Sequence, residues 1–387
     1  MLPLTVNSKL PHVGTTIFSV IAEQIERHSA LNLAQGAPDF PCDPTLVNLV
    51  TQAMQAGHNQ YAPMAGVRAL RQQVAEKVWR LYGRRYQEET EVTITASASE
   101  ALYASISALV HPGDEVIFFE PAFDSYAPIV ELQGGKAIGI PMQAPQFKID
   151  WQRVSAAITP ATRMIILNSP HNPTGQTLSE EDISELQRLV KHSKIVILSD
   201  EVYEHVVFDG ALHHSMARYP DLAERSVIVS SFGKTFHVTG WRIGYCLAPQ
   251  AIMAEVRKVH QFMMFSADTP MQHALASYLL DPEPYLGLSQ FYQRKRDRLV
   301  SCLASSRLSL LPSRGSFFIL ADYSAISDEP EAHFVQRLIE QHRVAALPLS
   351  AFYRDGANPQ NDHKMIRLSF ARGDELLQQA AAALCQL

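Results

Sequence analysis

From about residue 92 the chain alternates short, continuously apolar runs with stretches of helical period. VTIT (92–95), EVIFFE (115–120), RMIILN (163–168), KIVILSD (194–200), RSVIVSS (225–231) and GYCLA (244–248) are apolar throughout, with no alternation. Such runs predict strands buried on both faces, hence an α/β fold with a mostly parallel sheet sandwiched by helices. Between them, SASEALYASISALV opens on small capping residues and reads as a helix. In TLSEEDISELQRLVKH, Ser179 and Asp182 have capping-box spacing, and Ile183, Leu186, Leu189 and Val190 share one helical face.

The two ends of the chain are patterned differently. Residues 1–40 are rich in Pro, Gly and Asn around one helical pattern, TIFSVIAEQIERH. FYQRKRDRLVSCLASSR predicts a long helix, and SFFILADY and MIRLSFA predict strands with helices between. The expected organisation is a large domain over 41–284 and a smaller α+β domain built from 1–40 plus 285–387. Ligands of such sheets bind at the carboxyl ends of strands and at domain junctions.

Composition narrows the function. The chain has 387 residues, 47% hydrophobic and 19% charged, and a net charge of -6 with no run of like charge. A nucleic-acid surface or an anionic membrane is a poor match to this, and a small-molecule partner a good one. No stretch approaches the roughly 20 apolar residues of a membrane span, and MLPLTVNSKL has no signal-peptide core, so a cytoplasmic address is expected. Cys42, Cys246, Cys302 and Cys385 are far apart, and His213 and His214 diverge in direction. Neither a disulfide framework nor a structural metal is expected.

Candidate chemistry lies where the apolar runs end. NSPHNPTG (168–175), SDEVYEHVVF (199–208) and SSFGKTFHVTGWRIGY (230–245) each put polar or ionisable residues after a strand. Lys234 in a partly desolvated pocket beside Arg242 would have a depressed pKa and form a Schiff base with a carbonyl, with Arg242 and Ser231 placed for a phosphate. Asp200, closing an apolar strand, would keep a heteroaromatic nitrogen protonated and make its ring an electron sink, with Tyr203 and Asn172 reaching a ring hydroxyl. SFGK also matches the SxxK of serine acyl-enzymes, but the accompanying SDN and KTG are missing, as are GxSxG and GxGxxG.

Taken in order, NSPHNPTG, SDEVYEH, SFGKTFHVTGWRIGY and RLSFA resemble the class I/II aminotransferases, pyridoxal-phosphate enzymes of fold type I, over essentially the whole chain. LNLAQGAPDF, NQYAPMAGVRALR and EVYEHVVF are most similar to the methionine aminotransferase and kynurenine aminotransferase (glutamine transaminase) branch. The resemblance implies that Lys234 binds pyridoxal 5'-phosphate covalently and then shuttles the proton. Asp200 would pair with the pyridinium nitrogen, Tyr203 and Asn172 with the ring hydroxyl, and Phe123 would stack on the ring. Ala98 and Ser99 backbone N–H groups, Ser231 and Arg242 would hold the phosphate, joined by Tyr61 from a second subunit of a homodimer. Arg367 would clamp the substrate carboxylate beside Gly36, and Phe18 would line the side-chain pocket. His237 and Trp241 are read as packing residues.

Two departures from the family pattern stand out: ASAS (96–99) where relatives carry glycines, and Phe123 in place of tyrosine or tryptophan. The implied reaction is ping-pong transfer of an amino group from a large uncharged amino acid, methionine or aromatic, with glutamine or kynurenine as further candidates, to a 2-oxo acid. The alternative on the same scaffold is a cysteine-conjugate β-lyase. A regulator with an added DNA-binding domain fits neither the charge nor the pattern at the start of the chain.

Overall fold

The computed structural model describes residues 4–387. Its centre is a seven-stranded sheet of β1 (Val92–Thr95), β2 (Glu115–Glu120), β3 (Lys136–Pro141), β4 (Thr162–Asn168), β5 (Val196–Asp200), β6 (Ser226–Ser231) and β7 (Gly244–Leu247), in the order β1-β7-β6-β5-β4-β2-β3. The apolar runs are buried as their lack of alternation requires, with every residue of β1, β5 and β7 inside. Only β7 runs against its neighbours, pairing antiparallel with both β1 and β6. The segment 232–243 between β6 and β7 holds only two single helical turns and not the full helix that usually spans a parallel crossover.

Register then decides which residues meet at the carboxyl edge. Asn168 pairs with Asp200 across β4 and β5, while Gly244 at the start of β7 lies between Ser231 and Thr95. Behind this edge a buried cluster ties helix Arg68–Tyr82 to the sheet. Lys77 Nζ donates to Glu204 at 2.7 Å and to Tyr245 at 2.6 Å, and Glu204 also accepts from Tyr82 and from Ser230, the residue before Ser231.

A second sheet has four strands, β8 (Ser309–Leu310), β9 (Phe318–Asp322), β10 (Leu347–Pro348) and β11 (Met365–Ser369), antiparallel in the order β10-β11-β9-β8. The N-terminal part joins it from afar, as Leu31–Asn32 pairs parallel with Val344–Ala345. Helices α1 (Ile17–His28) and α2 (Ala98–Leu109) border the site, and α3 (Glu180–Val190) and α4 (Gln250–Met263) contribute no residue to its lining. The capping box at Ser179 and Asp182 is formed in α3, with Ile183, Leu186 and Val190 buried.

Two expected bounds move. The helix expected through residue 307 spans Leu288–Cys302, because the Ser306 hydroxyl and N–H both turn back to the Leu303 carbonyl. The strand read from SFFILADY starts at Phe318, since Ser316 adopts φ 68° and its hydroxyl accepts the Phe318 N–H.

Candidate active site

One cavity of 290 Å³ opens at the carboxyl edge of the large sheet. It is lined by Phe18, Gly36, Ala98, Ser99, Phe123, Asn172, Asp200, Tyr203, Ser231, Lys234, Arg242 and Arg367, twelve of the thirteen residues singled out from the sequence. Tyr61 is the exception: it is 85% exposed and meets Phe265 edge-on, away from this cavity. A larger groove of 620 Å³, between Phe147, Trp151, Leu178 and Leu311, contains none of the thirteen.

Lys234 is held in the one-turn helix Phe232–Thr235 that follows β6. Its Nζ donates to the Gly36 carbonyl at 2.8 Å and lies 5.6 Å from the centre of the Tyr203 ring. Burial, together with the positive charges of Arg367 and Arg242, lowers its pKa to about 8. Asp200 closes β5, its carboxylate accepting from the Tyr126 hydroxyl at 2.7 Å and the Val202 N–H at 3.3 Å. Burial raises its pKa to about 6, against those two hydrogen bonds.

Arg367 projects from the middle of β11 and is 1% exposed. Its two terminal nitrogens donate to Asn172 Oδ1 and the Ala34 carbonyl, both at 2.6 Å, and its guanidinium lies 3.8 Å from the Phe318 ring centre. Its Nε is buried without a partner among the described residues. A buried cation with only neutral acceptors and a spare donor fits an anion.

The opposite end of the cavity is a backbone cradle. Ser97 caps α2 with φ 90° and ψ 163°, a conformation natural to glycine. The first-turn N–H groups of Ala98 and Ser99 have no intrahelical acceptor. Gly244 presses on this turn: a Cβ there would come within 2.7 Å of the Ala98 nitrogen. Arg242 Nη2 sits 3.5 Å from Ser99 Oγ. A helix N-terminus with two hydroxyl residues and an arginine is the donor set of a phosphate.

Sequence reasoning missed Ser97, Asn168, Leu102, Val202 and Phe318, which also line the cavity. Asn168 accepts the Asn172 N–H and donates to the Asp200 carbonyl, joining two of the loops. Its place as a polar residue ending an apolar strand is the same signal that exposed Asp200. Phe318 gives no such signal, being one apolar residue among several in SFFIL. His237 and Trp241 pack as expected, His237 edge-on to Phe40 at 4.7 Å.

The family model described as aminotransferase class I and II matches residues 29–384. The chain belongs to the class I and II aminotransferases. It is 48% identical to the methionine aminotransferase of Escherichia coli (strain K12), over 100% of this chain and 99% of that one. It is 32% identical to the kynurenine–oxoglutarate transaminase of Dictyostelium discoideum, over 97% and 94% of the two chains. A solved Escherichia coli structure, assigned a methionine aminotransferase function, superposes with a TM-score of 0.95 at 48% identity, with full coverage of both chains. This aminotransferase therefore has the fold type I architecture, acts on amino acids and 2-oxo acids, and uses pyridoxal 5'-phosphate. No described helix is long and apolar enough to cross a membrane.

Proposed function

We propose that the amino donor is a large uncharged amino acid, methionine or an aromatic one first, with kynurenine and glutamine as further donors, and that the acceptor is a 2-oxo acid. The observation carrying this reading is the distribution of charge in the cavity. Its cations are Lys234, Arg242 and Arg367, its one carboxylate is Asp200, and its apolar side chains include Phe18, Leu102, Phe123, Val202 and Phe318. Each cation has a role in the common chemistry, so none is spared for a side-chain carboxylate, while the apolar wall suits a thioether or a ring. Such walls discriminate between neighbouring side chains by only about 10- to 200-fold, so a broad donor range is expected. The methionine and kynurenine names of the two relatives support the same choice.

In this reading the cradle at Ala98 and Ser99, with Ser231 and Arg242, holds the cofactor phosphate. Asp200 faces the ring nitrogen, Asn172 and Tyr203 the ring hydroxyl, and Phe123 the ring face. Pyridoxal phosphate, when bound, supplies the electron sink that lets the donor lose its Cα proton. Lys234 Nζ first holds the cofactor and then moves that proton. Its lowered pKa leaves a substantial neutral fraction near pH 8. Arg367 pairs its Nε and a terminal nitrogen with the donor's carboxylate, and the Gly36 backbone lies beside it. Phe18 and Phe352 shield this pair from water, 5.8 and 4.8 Å from the guanidinium.

The working unit in this reading is a homodimer, with Tyr61 of the partner subunit reaching the phosphate. An apolar surface supports it: Phe262 is 87% exposed, and Met264, Phe265 and Tyr61 are exposed as well. The division into a cofactor unit over 41–284 and a small unit from both chain ends belongs to the same reading, supported by the pairing of Leu31 with Val344.

The test is direct. Purified protein with added pyridoxal phosphate is given methionine, phenylalanine, kynurenine, glutamine and aspartate in turn, each with a 2-oxo acid. Turnover fastest with methionine or an aromatic donor is the expected outcome, and turnover fastest with aspartate overturns the donor assignment. Ammonia and pyruvate from a β-substituted alanine without acceptor would mark a lyase instead.

A further inference from the structure

His260, in the last turn of α4, is completely buried. Its Nδ1 lies 2.5 Å from Glu100 Oε1 and its Nε2 lies 2.8 Å from the Met64 carbonyl oxygen. A carbonyl and a carboxylate only accept, so both ring nitrogens carry hydrogen and the ring is an imidazolium. The second oxygen of Glu100 accepts the Ala96 N–H, so both oxygens of its carboxylate are engaged.

Glu100 stands in the first turn of α2, two residues from Ala98 and one from Ser99. An unpaired carboxylate at this point would repel an anion bound by those N–H groups. The other groups around the pair do not neutralise it. Arg257, one turn earlier on α4, is engaged with Thr93 Oγ1 and the Glu89 and Val92 carbonyls. Cys246 on β7 is a buried neutral thiol, its pKa pushed up to about 12 by burial. Met64 belongs to the segment that also carries Tyr61, and this segment is further tied to β1 by the Ile94 N–H on the Ala65 carbonyl.

We propose that His260 is a positioning residue of the cofactor site: its imidazolium cancels the charge of Glu100 beside the phosphate cradle and moors the segment 60–66 to α2. Cofactor phosphate is held while His260 remains protonated. The inference rests on the cofactor placement given above. Burial alone would strip the ring of its proton, but the Glu100 carboxylate and the Met64 carbonyl outweigh it and keep the pKa above the ordinary histidine value, with Arg257 opposing them. The mooring therefore persists to higher pH than an ordinary histidine would allow and is lost as pH rises through the folded-state value.

The experiment titrates apoenzymes with pyridoxal 5'-phosphate and, separately, with pyridoxal, which has no phosphate, following visible absorbance. His260→Gln is expected to weaken pyridoxal phosphate by at least about 10-fold and to leave pyridoxal within about 2-fold. Adding Glu100→Gln to that variant should restore most of the affinity. In the unaltered enzyme the Kd for pyridoxal phosphate should rise at alkaline pH, and this rise should be absent from Glu100→Gln, which still reports if His260→Gln does not fold. Equal losses for both ligands, no loss at all, failure of the second substitution to rescue, or an unchanged pH profile in Glu100→Gln would each overturn the proposal. If the unaltered enzyme binds pyridoxal but gains nothing from the phosphate, the cofactor placement fails, and the proposal fails with it.

Discussion

At Lys234, burial and the charges of Arg367 and Arg242 pull the ammonium down to about 8, while Asp200 pushes the other way. Only the neutral amine attacks a carbonyl, so the rate at which apoenzyme takes up pyridoxal phosphate should climb with pH and level off above about 8. A stopped-flow pH series measures it. Lys234→Ala should lower single-turnover transamination by about 100-fold or more, the scale of a lost acid–base group. Asp200 titrates in the opposite sense. Its folded pKa of about 6 lies above the ordinary carboxylate value, so apoenzyme stability from this group is present at low pH and is lost as pH rises from about 4 to 6. The loss is about 3 kcal/mol, and urea denaturation across that range checks it. Arg367→Ala should lower kcat/KM by about 100-fold for every donor, because truncation of a buried, hydrogen-bonded charge pair costs about 2–5 kcal/mol. A loss confined to one donor would contradict a contact with the carboxylate that all donors share.

The turn between β1 and α2 concentrates strain and close approach in one element. Ser97 holds φ 90° and ψ 163°, which costs a residue with a Cβ about 1–3 kcal/mol, and its hydroxyl accepts from the Glu100 N–H at a long 3.4 Å. Ser97→Gly should therefore raise stability by about 1 kcal/mol after the extra backbone entropy of glycine, and Ser97→Ala should lower it. Gly244→Ala pushes a methyl into the Ala98 nitrogen and should weaken cofactor binding, read as a higher Kd for pyridoxal phosphate. These elements were legible to different degrees. Continuous apolar runs marked every strand of the large sheet except Lys136–Pro141, where KAIGIP mixes lysine, glycine and proline. The capping box of α3 could be read letter by letter. The early end of Leu288–Cys302 could not, because a serine folding back on a carbonyl has the same composition as a helix that continues.

At the scale of the whole molecule, the site is assembled from chain ends that are far apart in sequence. Arg367 is fixed by Ala34 and Asn172, across 333 and 195 positions. The exposed Phe262, Phe265 and Tyr61 give the subunit a surface suited to a second copy. Phe262→Glu should shift the enzyme toward monomer in sedimentation and lower its activity together with its affinity for pyridoxal phosphate. Unchanged mass with reduced activity would place the dimer contact elsewhere.

By itself the sequence determined the class of fold, the strand-end positions of Asn172, Asp200, Ser231 and Lys234, and the family. Burial on both faces writes an apolar run, and a reactive group at its end breaks that run visibly. Only the tertiary structure decided that Phe318 stacks under Arg367, that β7 is reversed so that Gly244 meets the cradle, and that Tyr126 holds Asp200. It also decided the state of His260, whose two acceptors come from residues 160 and 196 positions away. Those outcomes depend on register and on contacts between distant segments, and no local pattern of residue types encodes a distance across the fold.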